Sequence, residues 1–450
     1  MYILLATLFF PPTHNAGTEN YTFTLARSLI QNGHRVEVVC ADKWGLGNSY
    51  WNGVMRDEYQ GIPVHRIRIN WTRAENPNRV LYINSSVERW LEKHLRETRP
   101  DLVHVTSAIT LGVGILRAPS ILGIPLVLTL TDFWFVCPTI QLLRSDGNLC
   151  NGEKSAWDCQ QCMGANSQLF LGIDSILPDA IRPAFWDKMS RVTPLTKMRG
   201  LRGNLLDMSE RKQLLKEALS FPDRIFAPSK FVQQKVSQLT STSVNVLNHG
   251  HDLSWVENLG PKTVSDKLRI AYIGQLQPIK GVHVLIDAFQ MAEIDTQATL
   301  SIFGDLSTRP DYVSKLEKLA NDNPSINFRG RFEHEDISDV FSNIDVVVVP
   351  SLWYENAPLV IQEAFAAKTP VVATNLGGMA EFIDHELSGL LFSRGDAADL
   401  ARTLRRLVMN PDLIRHLSEG IPPVKTNDEE LMEIENIYRD LLVNSTFISA

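Results

Sequence analysis

Short unbroken apolar runs alternate along this chain with longer stretches in which apolar residues return every third or fourth position. Runs of the first kind read as strands buried on both faces, and stretches of the second kind read as amphipathic helices. Residues 3–8 form the first run, and 22–31 the first helix, with Leu25 and Leu29 one turn apart and Gly33 where a helix C-terminus favours it. Strand runs follow at 36–40, 102–105, 126–130, 225–227 and 244–247, with a helix at 87–97 that halts before Pro100. A second series opens near Leu268, with strands at 270–273, 299–303, 346–349 and 371–373 and helices at 282–290, 313–319 and 358–367.

Strands separated by helices imply parallel sheets with helices on both faces. At 450 residues the chain exceeds one ordinary core. The predicted architecture is α/β: two Rossmann-like, doubly wound parallel-sheet domains at 1–251 and 268–426. A polar linker at 252–267, around Gly260-Pro261, joins them, and a helix in 427–450 closes the chain. A Cys-rich loop at 137–162 and a helical insertion at 163–220 break the rhythm of the first domain.

A net charge of −7 and a pI near 5.9 argue against a nucleic-acid partner. The apolar start, Met1 to Phe10, lacks a basic segment and a cleavage site and reads as a strand, so a cytoplasmic location is expected. In the insertion Arg182, Lys188, Arg191, Lys197, Arg199 and Arg202 are interleaved with Phe185, Trp186, Met189, Leu195, Met198 and Leu201. That pattern fits either a helical insertion with a solvated basic face or a peripheral contact with the inner membrane face.

Candidate chemistry centres on Ser351-Leu-Trp-Tyr-Glu355-Asn-Ala-Pro358-Leu-Val-Ile-Gln-Glu363. Pro358 suits the first turn of a helix, which places Glu355 at its mouth and Glu363 roughly 8 Å along it. Unpaired N–H groups at such a mouth suit a phosphate. A ligand with hydroxyls at both ends and phosphates between them, such as a sugar nucleotide, fits this spacing. After the first strand, Gly17 in Asn15-Ala16-Gly17-Thr18-Glu19 lets a backbone approach a phosphate. No Asp-x-Asp pair, P-loop or Gly-x-Gly-x-x-Gly after a strand occurs. Cys137, Cys150, Cys159 and Cys162 end in a Cys-x2-Cys pair. They read either as a structural zinc site without an open position or as reduced thiols in an ordered loop. His104, alone in an apolar strand, reads as a packed core residue.

The stretch 346–391 resembles the donor-binding half of glycosyltransferase family 4, which has the GT-B fold of two domains facing each other across a cleft. The resemblance rests on the Glu355/Glu363 pair, on Thr369-Pro370-Val371-Val372-Ala373 and on Leu376-Gly377-Gly378-Met379-Ala380-Glu381. It extends to Tyr272-Ile273-Gly274-Gln275-Leu276-Gln277-Pro278-Ile279-Lys280-Gly281, where Gln275 replaces an arginine, and to Phe303-Gly304-Asp305. It also takes in the segment around Thr131-Asp132, where Thr131 replaces a histidine. The resemblance implies a retaining, metal-independent transferase moving a hexose-type sugar from a UDP- or GDP-linked donor to a glycan, lipid-linked or small-molecule acceptor in polysaccharide biosynthesis. It gives Glu355 the transferred sugar and Glu363 the ribose. Lys280 and the amides of Asn356, Ala357, Pro358's neighbour Leu359 and the Gly17, Gly274, Gln275 and Gly304 turns would surround the diphosphate. Asp132, beside Thr131, would orient the acceptor. A nucleotide-sugar epimerase of the same fold and a non-catalytic sugar-nucleotide-binding protein are the other readings.

Overall fold

The structure, a computed structural model, describes residues 1–14, 16–42, 47–152 and 155–448, the last five by their backbone. It divides into two compact units, Met1–His249 with Asn427–Ala450, and Gly250–Thr426.

The first unit holds β1 (Tyr2–Thr7), β2 (Arg35–Ala41), β3 (Trp51–Tyr59), β4 (Ile62–Ile69), β5 (Leu102–Val105), β6 (Leu126–Thr129), β7 (Arg224–Ala227) and β8 (Val244–Val246). They form one sheet in the order β3-β4-β2-β1-β5-β6-β7-β8. Every neighbouring pair is parallel except β3 with β4. All six residues of β1 are buried, as a central parallel strand requires. The register sets Leu5 against Val38 on one side and His104 on the other, so the loops after β1, β5 and β6 emerge together. The β3–β4 hairpin, absent from the sequence reading, turns at Gln60 and Gly61, both left-handed as a two-residue hairpin favours.

The closing helix, Asn427–Ile448, belongs to this unit. Its Leu431, Ile434, Tyr438 and Leu441 join Ile3, Leu5, Leu25 and Leu29 in one core. Within the insertion, helices Gln168–Ile176 and Arg182–Met189 enclose a separate small core of Phe170, Trp186, Leu201 and Leu205. Phe170 stacks on Trp186 at 4.3 Å. Arg182 pairs with Asp179 at 2.8 Å, Arg191 with Asp207 at 3.0 Å, and Arg202 lies over the Trp71 ring. Trp186 and Leu201 of the basic and aromatic stretch thus point inward, Met198 stays exposed, and three of its cations already have partners.

The second unit holds β9 (Leu268–Ile273), β10 (Ala298–Phe303), β11 (Ile326–Gly330), β12 (Val346–Val349), β13 (Val371–Thr374) and β14 (Gly389–Phe392). The order is β11-β10-β9-β12-β13-β14, parallel throughout. β11 and β14 also escaped the sequence reading. Cores line both faces, one built on Ile270, Leu300 and Ile302 and the other on Ala271, Val347 and Val349. Residues 252–267, read from the sequence as a linker, pack onto this unit. Trp255 stacks on Phe341, and the Lys262 ammonium donates to the carbonyls of Phe341 and Ile344. The strand order runs outward in opposite directions from β9 and β12, the switch point outside which open α/β sheets bind ligands.

Candidate active site

The loops after β9 and β12 are tied together backbone to backbone. The Leu352 N–H donates to the Ile279 carbonyl at 2.8 Å. Gly281 (φ +74°) lies so close to the second loop that a Cβ there would sit 1.9 Å from the Pro350 carbonyl oxygen. This approach delivers Lys280 to Glu355, with Nζ 2.8 Å from Oε1. The same oxygen accepts from the Ser351 hydroxyl at 2.7 Å and the Trp353 indole N–H at 2.9 Å. Lys280 also sits over the Trp353 ring at 5.4 Å. Glu355 Oε2 accepts nothing among the described residues. The carboxylate is therefore fixed by one oxygen and presents the other.

Gly378 holds Glu355 from below: its N–H donates to the Glu355 carbonyl at 3.2 Å, and a Cβ on it would meet the Asn356 carbonyl oxygen at 2.3 Å. The helix that follows runs Leu359–Ala366, with Pro358 as an extended N-cap (ψ 118°) and not, as the sequence suggested, inside the first turn. The N–H groups of Ala357 and Leu359 have no acceptor among the described residues, as the first amides of a helix require a partner from outside it.

Glu363 lies one turn into that helix, enclosed but not sealed from solvent. Its carboxylate makes no hydrogen bond or ion pair among the described residues, and burial alone pushes its pKa up to about 7. Gly274 and Gly304 touch: a Cβ on Gly304 would lie 2.4 Å from the Gly274 carbonyl oxygen. The Tyr272 hydroxyl donates to the Gln275 carbonyl at 2.8 Å, while the exposed Gln275 side-chain oxygen accepts from the Gln277 amide at 3.0 Å.

In the first unit, Gly17 opens helix Gly17–Gln31; Asn15 of its motif lies outside the described residues. The Thr18 hydroxyl donates to Thr131 Oγ1 at 2.9 Å, and Thr131 donates on to the Thr106 carbonyl at 2.7 Å. Asp132 accepts from the Trp134 N–H at 2.8 Å and the Ser107 hydroxyl at 3.3 Å. Burial nevertheless pushes it up to about 6. Glu19 is buried as well, and burial together with the Asp132 charge raises its pKa. Sequence reasoning passed over Glu19, because an acid in a first turn is what the helix dipole favours. His104 is a core residue: it bonds to the Tyr438 hydroxyl at 2.6 Å and Thr129 at 2.8 Å, and burial pushes it down to about 3.

The four clustered cysteines carry free thiols, and no three of their sulfurs lie within 4.8 Å of one another. Glu37, His65 and His94 do converge, all buried, towards the amino end of β2. There Arg35 and His65 already occupy the Glu37 oxygens at 2.8 and 3.0 Å.

Two family models match. Residues 260–422 match "Glycosyl transferases group 1" and residues 16–153 match "Glycosyl transferase 4-like domain". The chain belongs to the GT-B glycosyltransferases of the family 4 type. The group 1 match takes in Gly274, Lys280, Gly304, Glu355 and Glu363; the 4-like match takes in Gly17, Thr131 and Asp132. YtcC of Bacillus subtilis (strain 168) is 32% identical over 190 residues, 40% of this chain and 47% of that one. The chain spans about half the length of the curated relatives it matches first. Among solved structures, the sucrose-phosphate synthase of Thermosynechococcus elongatus superposes with a TM-score of 0.66 at 17% identity, covering 98% of this chain and 99% of that one. Anabaena HepE, solved in complex with UDP and glucose, gives 0.60 at 18% identity over 97% and 99%. These likenesses carry the GT-B fold. Among the described residues no helix is long and apolar enough to cross a membrane.

Proposed function

We propose that this family member is a retaining glycosyltransferase that moves a hexose from a nucleotide-diphosphate donor, held by the Gly250–Thr426 unit, to an acceptor hydroxyl. The observation that carries the reading is the pair of carboxylates on one helix entry. Glu355 has one oxygen saturated and one presented, and Glu363 has no donor at all. A sugar nucleotide supplies hydroxyl donors at both ends. The donor's sugar hydroxyls would meet Glu355 Oε2 and its ribose hydroxyls Glu363. Lys280 and the N–H groups of Ala357 and Leu359 would face the diphosphate between them. Charge developing on the departing phosphate is then met by a fixed cation and a helix mouth, with no metal required for that step. Asp132, with its pKa of about 6, is suited to accept a hydrogen bond from the incoming hydroxyl as it loses its proton. UDP-glucose is the first donor to try, since HepE was solved with UDP and glucose.

A panel of UDP-, GDP- and ADP-sugars scored by thermal shift, followed by turnover with and without chelator, tests the reading. One donor should raise the melting temperature and turn over in chelator, and Glu355→Gln should slow transfer more than tenfold. Binding without turnover would make the chain a sugar-nucleotide-binding protein. Conversion of the donor without any acceptor would make it an epimerase.

A further inference from the structure

Arg211 is a buried guanidinium. It donates to the Trp134 carbonyl and lies over the Trp134 ring at 5.7 Å, and among the described residues it makes no ion pair. A buried cation without a partner is costly, so a negative charge is expected nearby. The titratable groups that face it are Cys137, Cys159, Tyr82 and Asp132. Two of these four groups are thiols of the cysteine cluster.

We propose that Cys137, Cys150, Cys159 and Cys162 bind one structural Zn2+ as thiolates and that Arg211 offsets the negative charge of the resulting centre. Cys159 and Cys162 sit three residues apart on helix Ala156–Gly164, hence on one face of it. Cys159 is within electrostatic reach of the other three. Two of the sulfurs have polar neighbours at hydrogen-bond distance. The Thr139 hydroxyl stands 3.2 Å from Cys137 Sγ, and the Gly152 N–H donates to Cys150 Sγ at 3.4 Å. Gly152 is left-handed at φ +84°, the turn that aims its N–H back at the sulfur two residues earlier, and a Cβ there would meet Val136 at 2.3 Å. Thiolates formed on metal binding would accept such hydrogen bonds more strongly than neutral thiols do.

No three of the bare sulfurs lie within 4.8 Å of one another, whereas tetrahedral zinc–sulfur bonds of about 2.3 Å impose roughly 3.8 Å between all four. Metal binding therefore draws them in. Each S–H bond is exchanged for S–Zn with release of its proton, and nothing is oxidised. Four soft thiolates select zinc and leave no open position for catalysis. The consequence is mechanical. Cys137 ends the loop that begins at Asp132, and Gln160 on the cysteine helix bonds to the Asn204 carbonyl at 2.6 Å and the Leu206 N–H at 3.0 Å. Zinc would clamp the Asp132 loop to the insertion.

The test uses the full chain, purified reduced and without chelator. Elemental analysis should give one zinc per chain. A mercurial titrated against a zinc-sensitive dye should release that zinc as four thiols react, a measurement that needs no variant. Cobalt substitution should give the intense thiolate charge-transfer band of a tetrahedral sulfur site. Cys159→Ser and Arg211→Leu should each lose zinc to a competing chelator at least tenfold more readily. The thermal shift with nucleotide, read on the other unit, should persist and so separates this failure from that of the proposed function. A stable protein with four freely titrating thiols and no metal would overturn the proposal. So would a disulfide among the four found by mass spectrometry.

Discussion

Glu363 holds its proton up to about pH 7 because burial is opposed by no donor. Below about 4.5, the ordinary value, folded and unfolded chains are both protonated and the group is neutral to stability. Between there and about 7 the unfolded chain releases the proton and the folded chain keeps it, so stability falls as pH rises. Above that range the full cost of a buried charge is present. Glu363→Gln should therefore stabilise the unliganded protein at about pH 8 by on the order of 1–3 kcal/mol and leave it nearly unchanged at about pH 5. Nucleotide binding should respond in the opposite sense. Ribose hydroxyls donate best to the ionised group, so affinity should rise from about pH 6 to 8, and glutamine should lose that slope along with at least tenfold in affinity. Titration calorimetry at both pH values checks this, and equal curves for the two proteins would remove Glu363 from the site. The sequence placed both glutamates on one helix entry, but could not show that Glu355 is saturated by Ser351, Trp353 and Lys280 while Glu363 is not. Lys280 comes from a separate loop, and burial is a property of the fold. Glu19 was obscured for the same reason.

At the scale of elements, the site depends on two loops approaching more closely than side chains allow. Gly281 combines a left-handed φ with a carbonyl 1.9 Å from where a Cβ would be. Gly33 has φ +81° and open space around it. Gly33→Ala should thus cost about 1 kcal/mol, from backbone strain alone. Gly281→Ala must also push the β9 and β12 loops apart, and should cost several kcal/mol and separate Lys280 from Glu355. Urea midpoints for the pair measure the first effect and transfer rates the second; matching losses for the two variants would mean the loops yield easily. The buried strands were legible because parallel strands covered on both faces are written as apolar runs, as in Val346-Val-Val-Val349. The β3–β4 hairpin was not legible. β3 has no fully buried residue and mixes Arg56, Asp57 and Glu58 with its apolar residues, so neither an apolar run nor a clean alternation marks it. β11 and β14 are the two edge strands of their sheet, where pattern is weakest.

For the whole molecule, the two units differ in what they need from the chain's end. Leu431, Ile434, Tyr438 and Leu441 are buried in the core of the first unit, and the Tyr438 hydroxyl satisfies His104. Burial of four such side chains contributes roughly 1.5–3 kcal/mol each, an upper bound that is comparable to a domain's entire stability of about 5–15 kcal/mol. Removal of 427–450 should therefore unfold the first unit, whereas Tyr438→Phe, which strips one partner from a buried imidazole, should cost only about 1–3 kcal/mol. The second unit closes its own sheet and both its cores without that helix. Excised as 250–426, it should fold and bind the nucleoside diphosphate within about tenfold of the full chain, because Lys280, Glu355 and Glu363 all lie inside it. Transfer should be absent from the fragment, since Asp132 is not in it. Calorimetry on the fragment decides the matter. A folded fragment that binds no nucleotide would place essential donor contacts in the first unit, and Gly17 would then become the residue to test.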